Sequence, residues 1–362
     1  MQRISSGRIR FEKICKRKSR ESEMLILIGV LAVVFLIVLP IVTIVIYNGE
    51  FGHRYEERRY ESYRVENFKG LQVERCSIVA NKGHRLVGYK YSREGKNPKA
   101  LLVLVHGMCG SHKNYLDICN YFASNGYAVF SYDATGSGES EGNKVGGFAQ
   151  GLVDLDYVLN YVKTLPEYQG LPIMLWGHSW GAFCVCNVLN FHPDVKAVVA
   201  VSGFDTSATL LKQYAEVNMG KAVTLLMPYI SIYERLCWGK YAMTSACEGF
   251  ANSKAKVMVI HSSDDPTVFA ENGYDRYYEK FANDDRFIFR MYHDRGHSYP
   301  VNSDAGRVCR TKIKEGYFEA VKEGGEAAGE AYIQSHMERE GCVELDETLM
   351  QEALAMFERA ML

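Results

Sequence analysis

Serine, histidine and aspartate make a nucleophilic catalyst only when a fold brings them together, and this chain spaces them as if it does. Gly177-His178-Ser179-Trp180-Gly181 follows an apolar run, Leu171 to Trp176, short enough to be one buried strand. A mostly apolar helix through Ala182, Phe183, Val185, Val188 and Leu189 comes next. Strand, G-x-S-x-G, helix sets a serine on a sharp, strained turn with its hydroxyl exposed. The glycines at minus two and plus two leave room, because a Cβ at either place would strike neighbouring backbone. A serine hydroxyl is a poor nucleophile near neutral pH and needs an adjacent base, itself oriented by a carboxylate. On such elbows the partners follow in the order serine, acid, histidine.

Among the later histidines, His297 follows the last apolar strand, RFIFRMYHD, and is preceded by Gly296, which puts it on a loop with room to swing over the serine. His293 sits in or at the end of that strand and reads as structural. His178 adjoins the serine, where neighbouring side chains diverge, and is expected to pack or hydrogen-bond locally. For the acid, Asp264 and Asp265 stand directly after the strand VMVIHS. Asp265 is preferred because Pro266 suits a carboxylate on a fixed turn, and Asp205 is an outside candidate. Acyl chemistry also needs donors fixed where negative charge develops. His106-Gly107-Met108-Cys109-Gly110, after ALLVLV, can aim backbone N–H groups there, so the oxyanion hole is assigned to the amides of Met108 and Trp180. DATGSGES, Asp133 to Ser140, reads as a structured turn beside the site; without a Lys-Ser/Thr or a G-x-G-x-x-G it argues against nucleotide binding.

These groups need a sheet whose strand ends converge, and the sequence supplies one. Glu74–Ala80 and His84–Ser92 read as strands joined at Asn81-Lys82-Gly83. Ala100–Val105, Tyr127–Tyr132, Val195–Val201, Lys256–His261 and Phe287–Tyr292 are further strands, alternating with helical stretches such as Tyr115–Phe122 and Gly151–Leu165. Continuous apolar strands between amphipathic helices predict an α/β fold with a mostly parallel sheet covered on both faces.

The chain has 362 residues, 47% hydrophobic and 23% charged, with a formal net charge of −1, so no global charge points to nucleic acid. Residues 1–23 are a basic tail with net charge +5. Residues 24–47 carry no charge, and a bilayer span needs about 20 apolar residues. The run ends in bulky Ile44-Val45-Ile46-Tyr47 and is longer than the core of a cleaved signal, so it reads as a single uncleaved transmembrane anchor, a signal-anchor. Eight basic residues before it against Arg54, Arg58, Arg59 and Arg64 after it predict a cytoplasmic N-terminus and an extracytoplasmic domain. Nine of the ten cysteines fall after the span, an odd number without a small disulfide framework, which pulls the other way: an exported domain with so many thiols implies a reducing habitat or a few bridges that spacing does not reveal. Residues 48–70, charged and tyrosine-rich, read as a stalk, and 71–362 as the folded domain.

HGMCGSHKNY, DATGSGESEG, GHSWGA, SSDDPTV and RGHS, in this order between His84 and Pro300, resemble the successive signatures of the α/β-hydrolase superfamily. The branch they resemble is that of monoacylglycerol-lipase-like and serine-aminopeptidase-like hydrolases. That resemblance implies an eight-stranded sheet, acyl transfer from an ester to water, and no metal or organic cofactor. It implies Ser179, Asp265 and His297 as the triad, with Met108 and Trp180 as oxyanion donors. Cys109 in the oxyanion loop, the membrane anchor and the long tail after His297 depart from the pattern. Phe204 to Phe250 is too long for a crossover and reads as a helical cap shaping an apolar acyl pocket, about 204–250, with a C-terminal helical extension at about 323–362. The expected function is a membrane-anchored serine esterase acting on a lipid-like acyl ester. A peptidase taking the substrate amine on Glu139, Glu141 or Glu216, or a silent membrane-tethered binding protein, are the alternatives.

Overall fold

The computed structural model describes residues 2–95, 97–336 and 340–362, with side chains from Arg17 onward apart from those of residues 19, 340 and 341. Arg3, Arg8, Arg10, Lys13 and Lys16 of the basic tail, and Cys15, therefore have side chains outside the described residues. The chain begins with α1 (Gln2–Val33), a five-residue π turn (Val34–Val38) and α2 (Leu39–Phe51), which run on as one helix. Within it Arg20–Phe51 is, among the described residues, the one stretch long and apolar enough to cross a membrane.

The domain follows as β1 (Leu71–Val79), β2 (Arg85–Arg93), β3 (Leu101–Val105), α3 (Leu116–Ser124), β4 (Ala128–Tyr132), α4 (Phe148–Val162), β5 (Ile173–His178), α5 (Trp180–Asn187) and β6 (Ala197–Val201). Then come α6 (Ser207–Met219), α7 (Met227–Trp238), α8 (Ala246–Asn252), β7 (Lys256–Ser262), α9 (Tyr274–Phe281), β8 (Phe287–Tyr292), α10 (Asp304–His336, broken at Gly325) and α11 (Glu347–Ala360). The eight strands form one sheet in the order β1-β2-β4-β3-β5-β6-β7-β8. β2 is antiparallel to both its neighbours and the other pairs are parallel. This is the mostly parallel α/β sheet that the strand pattern predicts, with the eight strands that the resemblance to α/β-hydrolases implies.

Every residue of β3, β4, β5 and β6 is buried, as mostly apolar strands covered on both sides must be. Alternating side chains feed two cores. One lies toward α4, α5 and the cap helices, the other toward α3, α10 and α11. α11, whose destination the sequence does not settle, packs on this second face, with Phe357 5.4 Å from Phe122 and 6.0 Å from Tyr127, centroid to centroid.

The segment after α2 differs from the expected stalk, because its backbone is tied to the domain. Tyr55 N donates to Gly136 O (3.0 Å), Arg58 N to Cys109 O (3.1 Å) and Tyr63 N to Lys113 O (3.1 Å). Arg54 adds guanidinium bonds to the carbonyls of Gly138, Ser140 and Gly142. A charged, tyrosine-rich run without a period is thus a strap over the loops at the sheet's C-terminal edge. Of the two readings open for the cysteines, the structure supplies a bridge. Cys309 and Cys342 form a disulfide between α10 and the turn Glu340–Val343, their Cα atoms 5.0 Å apart.

Phe357 is fully buried, and emptying its site removes contacts to both α3 and the sheet. Phe357→Ala is expected to destabilise the domain by about 3–5 kcal/mol, read as a lowered denaturation midpoint.

Candidate active site

Ser179 stands between β5 and α5 with φ 56° and ψ −118°, a conformation that costs a non-glycine residue strain. Its neighbours enforce it. A Cβ on Gly177 would lie 2.3 Å from Gly181 O, and one on Gly181 would lie 2.1 Å from Val105 O. Ser179 N donates to Val201 O at 2.8 Å, which locks the turn to β6. Gly151 plays a similar part in α4, where a side chain would collide with the Trp180 indole; that ring instead lies flat enough to donate Nε1–H to Phe148 O at 2.9 Å.

His297 arrives on the loop after β8, with Nε2 2.9 Å from Ser179 Oγ and Nδ1 2.7 Å from Asp265 Oδ2. Asp265 Oδ1 accepts from the amides of Thr267 (2.8 Å) and Val268 (2.9 Å) in the turn after β7. Burial pushes the Asp265 carboxyl up, but the His297 imidazole and those two amides more than offset it and hold it below the usual carboxylate range. A carboxylate that stays charged next to Nδ1 selects the tautomer with Nε2 free to accept a proton from Oγ. So the structure brings Ser179, His297 and Asp265 into one line. Asp264 instead accepts from Gly296 N (3.1 Å) and braces the histidine loop. Asp205 accepts from Ser245 Oγ and Cys247 N at the start of α8, away from the serine. His293 pairs with Ser263 Oγ and is exposed.

Met108 and Trp180 line the same cavity as Ser179 and His297. Among the described residues no hydrogen bond occupies either backbone amide, which leaves both available to an oxyanion. The loop that carries Met108 is held from below. His106 Nε2 accepts from Ala134 N (2.9 Å), which leaves Nδ1–H to donate to Gly107 O (2.7 Å). The DATGSGES turn is itself organised by buried Asp133. Its carboxylate accepts from His112 N and Nδ1 (3.0 and 2.9 Å), Glu139 N (2.9 Å) and Tyr89 Oη (3.2 Å). Burial opposes that charge, yet His112 and the amide of Glu139 bring Asp133 down to about 2.

His178 hydrogen-bonds, as one of its two expected roles has it, and its partners lie on two other loops. Gly107 N–H donates to Tyr115 Oη (3.1 Å), whose own proton goes to His178 Nδ1 (2.8 Å), and His178 Nε2–H donates to His297 O (2.8 Å). Burial, then the charge of His297, drives His178 down to about 3, so it remains neutral and keeps that tautomer. One chain of hydrogen bonds therefore ties the loop that carries Met108 to the loop that carries His297 behind the serine. Arg295 adds a second brace, donating to Pro300 O (2.8 Å) and to Asp346 Oδ2 (2.7 Å) at the N-cap of α11. The bracing by Tyr115, Arg295 and Asp346 escapes a reading of the sequence because Tyr115 meets His178 63 residues on and Arg295 meets Asp346 51 residues on. The position of Arg295, two residues before His297, was the available hint.

Above the serine is a cavity of about 560 Å³, lined on its apolar side by the cap and by α2. Arg58, Glu61, Asn114 and Tyr299 provide polar lining. Glu139, Glu141 and Glu216 do not reach it. They pair with Arg75, the Arg85 amide and Lys212 respectively.

Residues 96–292, more than half of the chain, match the family described as serine aminopeptidase, S33. Human monoglyceride lipase is 30% identical over 152 residues, covering 40% of this chain and 48% of that protein. A proline iminopeptidase of Clostridioides difficile is 36% identical over 102 residues, 27% of this chain and 31% of that one. The chain spans about a third to a half of the length of the curated relatives it matches. A solved esterase of Pyrococcus furiosus superposes with a TM-score of 0.52 at 17% identity, over 74% of this chain and 98% of that one, which shows the shared fold.

Two outcomes are expected. Tyr115→Phe leaves a buried amide and imidazole nitrogen without their partner, and should lower kcat on an ester by about ten- to a hundredfold through mispositioning, with KM little changed. For Asp133, depressed from 3.8 to about 2, stability is fully present above pH 4 and is lost as pH falls through 2. The stability gap between wild type and Asp133→Asn in denaturant titrations should therefore shrink by about 2 kcal/mol between pH 5 and pH 1.5.

Proposed function

The chain belongs to the S33 serine aminopeptidase family of hydrolases, and we propose that it is a membrane-anchored serine esterase cleaving an acylglycerol or similar lipid-like ester. What carries the reading is the unbroken relay from Asp265 through His297 to Ser179 Oγ, opening onto a mostly apolar cavity. His297 Nε2 takes the Ser179 proton as Oγ attacks the ester carbonyl. The Met108 and Trp180 amides meet the oxyanion, and His297 passes the proton to the departing alcohol. Water, deprotonated by the same imidazole, then releases the acid and restores the serine. Asp265 stays ionised and stabilises the imidazolium throughout. The relatives named monoglyceride lipase support an ester with an acyl chain.

Peptide hydrolysis by the same residues is the second reading, favoured by the family description and by Glu50 and Glu61 on the cavity wall, where an amine could pair. Glu61, however, already lies 3.8 Å from the Arg58 guanidinium and accepts from Tyr299 Oη at 3.1 Å, which weakens it as an amine receptor. The expected result is turnover of acyl esters at least a hundredfold above aminoacyl amides, lost in Ser179→Ala; the reverse preference would install the peptidase.

For topology, the Arg20–Phe51 helix is the anchor, with the domain on the extracytoplasmic side. The basic tail and the Cys309–Cys342 bridge support that side, since structural disulfides persist in oxidising compartments. Of the free thiols, Cys119, Cys184 and Cys186 are buried and burial pushes them well up, whereas Cys237 is exposed. In cell-derived protein, maleimide should reach Cys309 and Cys342 only after reduction; labelling of both without reductant would contradict this.

A further inference from the structure

The wall of the cavity on the cap side is not made by the cap alone. Ile46, Tyr47 and Phe51, in the last turns of the apolar helix, line it together with Leu210, Leu226 and Ile230 of the cap. These turns are fixed in place by a buried contact. Tyr47 Oη donates to Glu234 Oε1 (2.8 Å) in α7, and the same carboxylate accepts from Ser207 Oγ (2.7 and 2.9 Å) at the start of α6. The Tyr47 ring packs 4.8 Å from Phe51 and 5.2 Å from Tyr233, and Phe51 packs 5.2 Å from Phe148. Gly147 makes the approach possible, because a Cβ there would lie 2.0 Å from the Tyr47 hydroxyl.

The length of the helix says where this contact lies. A helix rises 1.5 Å per residue, so the uncharged run Met24–Tyr47 is about 36 Å long. The hydrocarbon core is about 30 Å thick, so the last turn or more of the run emerges at the boundary of the bilayer. That is where Thr43, Tyr47 and Phe51, four residues apart on one face, turn into the domain and are buried. Val45 on another face remains 66% exposed, and Leu236, on the cap helix that packs against α2, is 80% exposed. The cavity, the helix end and the bare apolar side of the cap thus meet at one level.

We propose that the end of the anchor helix is a working wall of the acyl site, and that the substrate is a single-chain lipid ester loaded from the bilayer in which the helix stands. Its acyl chain lies between Ile46 and Phe51 on one side and Leu210 and Ile230 on the other, with the ester carbonyl at Ser179. Its polar head meets Arg58, Glu61 and Tyr299. The anchor is then part of substrate recognition as well as a tether. This inference rests on the ester-hydrolase reading above.

The test uses the full-length protein in lipid nanodiscs, with butyrate and palmitate esters of the same alcohol. Ile46 is 37% exposed at the rim, so Ile46→Trp adds bulk to the acyl path without disturbing the Tyr47–Glu234 contact. It is expected to cut kcat/KM on palmitate by about tenfold or more and to leave butyrate within about twofold. Val45→Trp, facing lipid, should match wild type on both. Ile46→Ala, which cannot overcrowd the site, should weaken the preference for palmitate by about threefold and guards against a misfolded tryptophan variant. Equal effects of Ile46→Trp on both esters, or none on palmitate, would overturn the acyl-wall inference while leaving ester hydrolysis standing. Wild-type protein that turns over neither ester would instead remove the ester reading itself, and this inference with it.

Discussion

Everything at the site depends on a serine held in a backbone conformation it would not choose. Ser179 is at φ 56° because Gly177 and Gly181 let β5 and α5 close to a distance that excludes any side chain, and because its own amide is bonded to β6. The strain is repaid by the sheet. Five parallel pairings, four between largely buried strands and one to the half-buried edge strand β8, fix the strand ends from which the Ser179, Asp265 and His297 loops spring. A loop without that base could not keep Oγ within 2.9 Å of an imidazole that lies 118 residues away in the chain.

Around this point the protein spends its buried polar groups on bracing rather than on chemistry. Asp133 gathers four donors to shape one turn, His106 pins the loop that carries Met108 to that turn, and Tyr115 with His178 carries the connection on to the His297 carbonyl. Each is satisfied at both ends, which is what makes such a network stiff instead of costly. Arg295 extends the bracing to Asp346, so the C-terminal helix takes part in holding the histidine loop. The long tail after His297 is in this sense a buttress for the site.

The parts that were legible in the sequence are those written in local spacing. Apolar runs gave strands, glycines around Ser179 gave the elbow, and the order of serine, acid and histidine at strand ends gave the candidates that the fold brings together. Asp265 was preferred to its neighbour Asp264 for a local reason, the turn at Pro266, and it is the Asp265 carboxylate that lies 2.7 Å from His297 Nδ1. What was not legible is what depends on distant partners. Residues 48–70 looked like a spacer because their hydrogen bonds go to loops some fifty to ninety residues away, leaving no periodic pattern. Tyr47 looked like the tail of an apolar span, and only its meeting with Glu234, 187 residues on, gives it a place beside the cavity. Cys309 and Cys342 are 33 residues apart, and nothing in their spacing marks them among the nine cysteines after the span as the pair that bridges.

The most direct test of the serine–imidazole–carboxylate relay is the site and rate of covalent capture by a fluorophosphonate, mapped by peptide mass spectrometry on the intact, membrane-reconstituted protein. The account predicts a single adduct on Ser179, slowed by about a thousandfold or more in His297→Ala and strongly in Asp265→Asn while both variants keep the wild-type melting transition. An adduct elsewhere, or capture at Ser179 that is indifferent to His297, would contradict it.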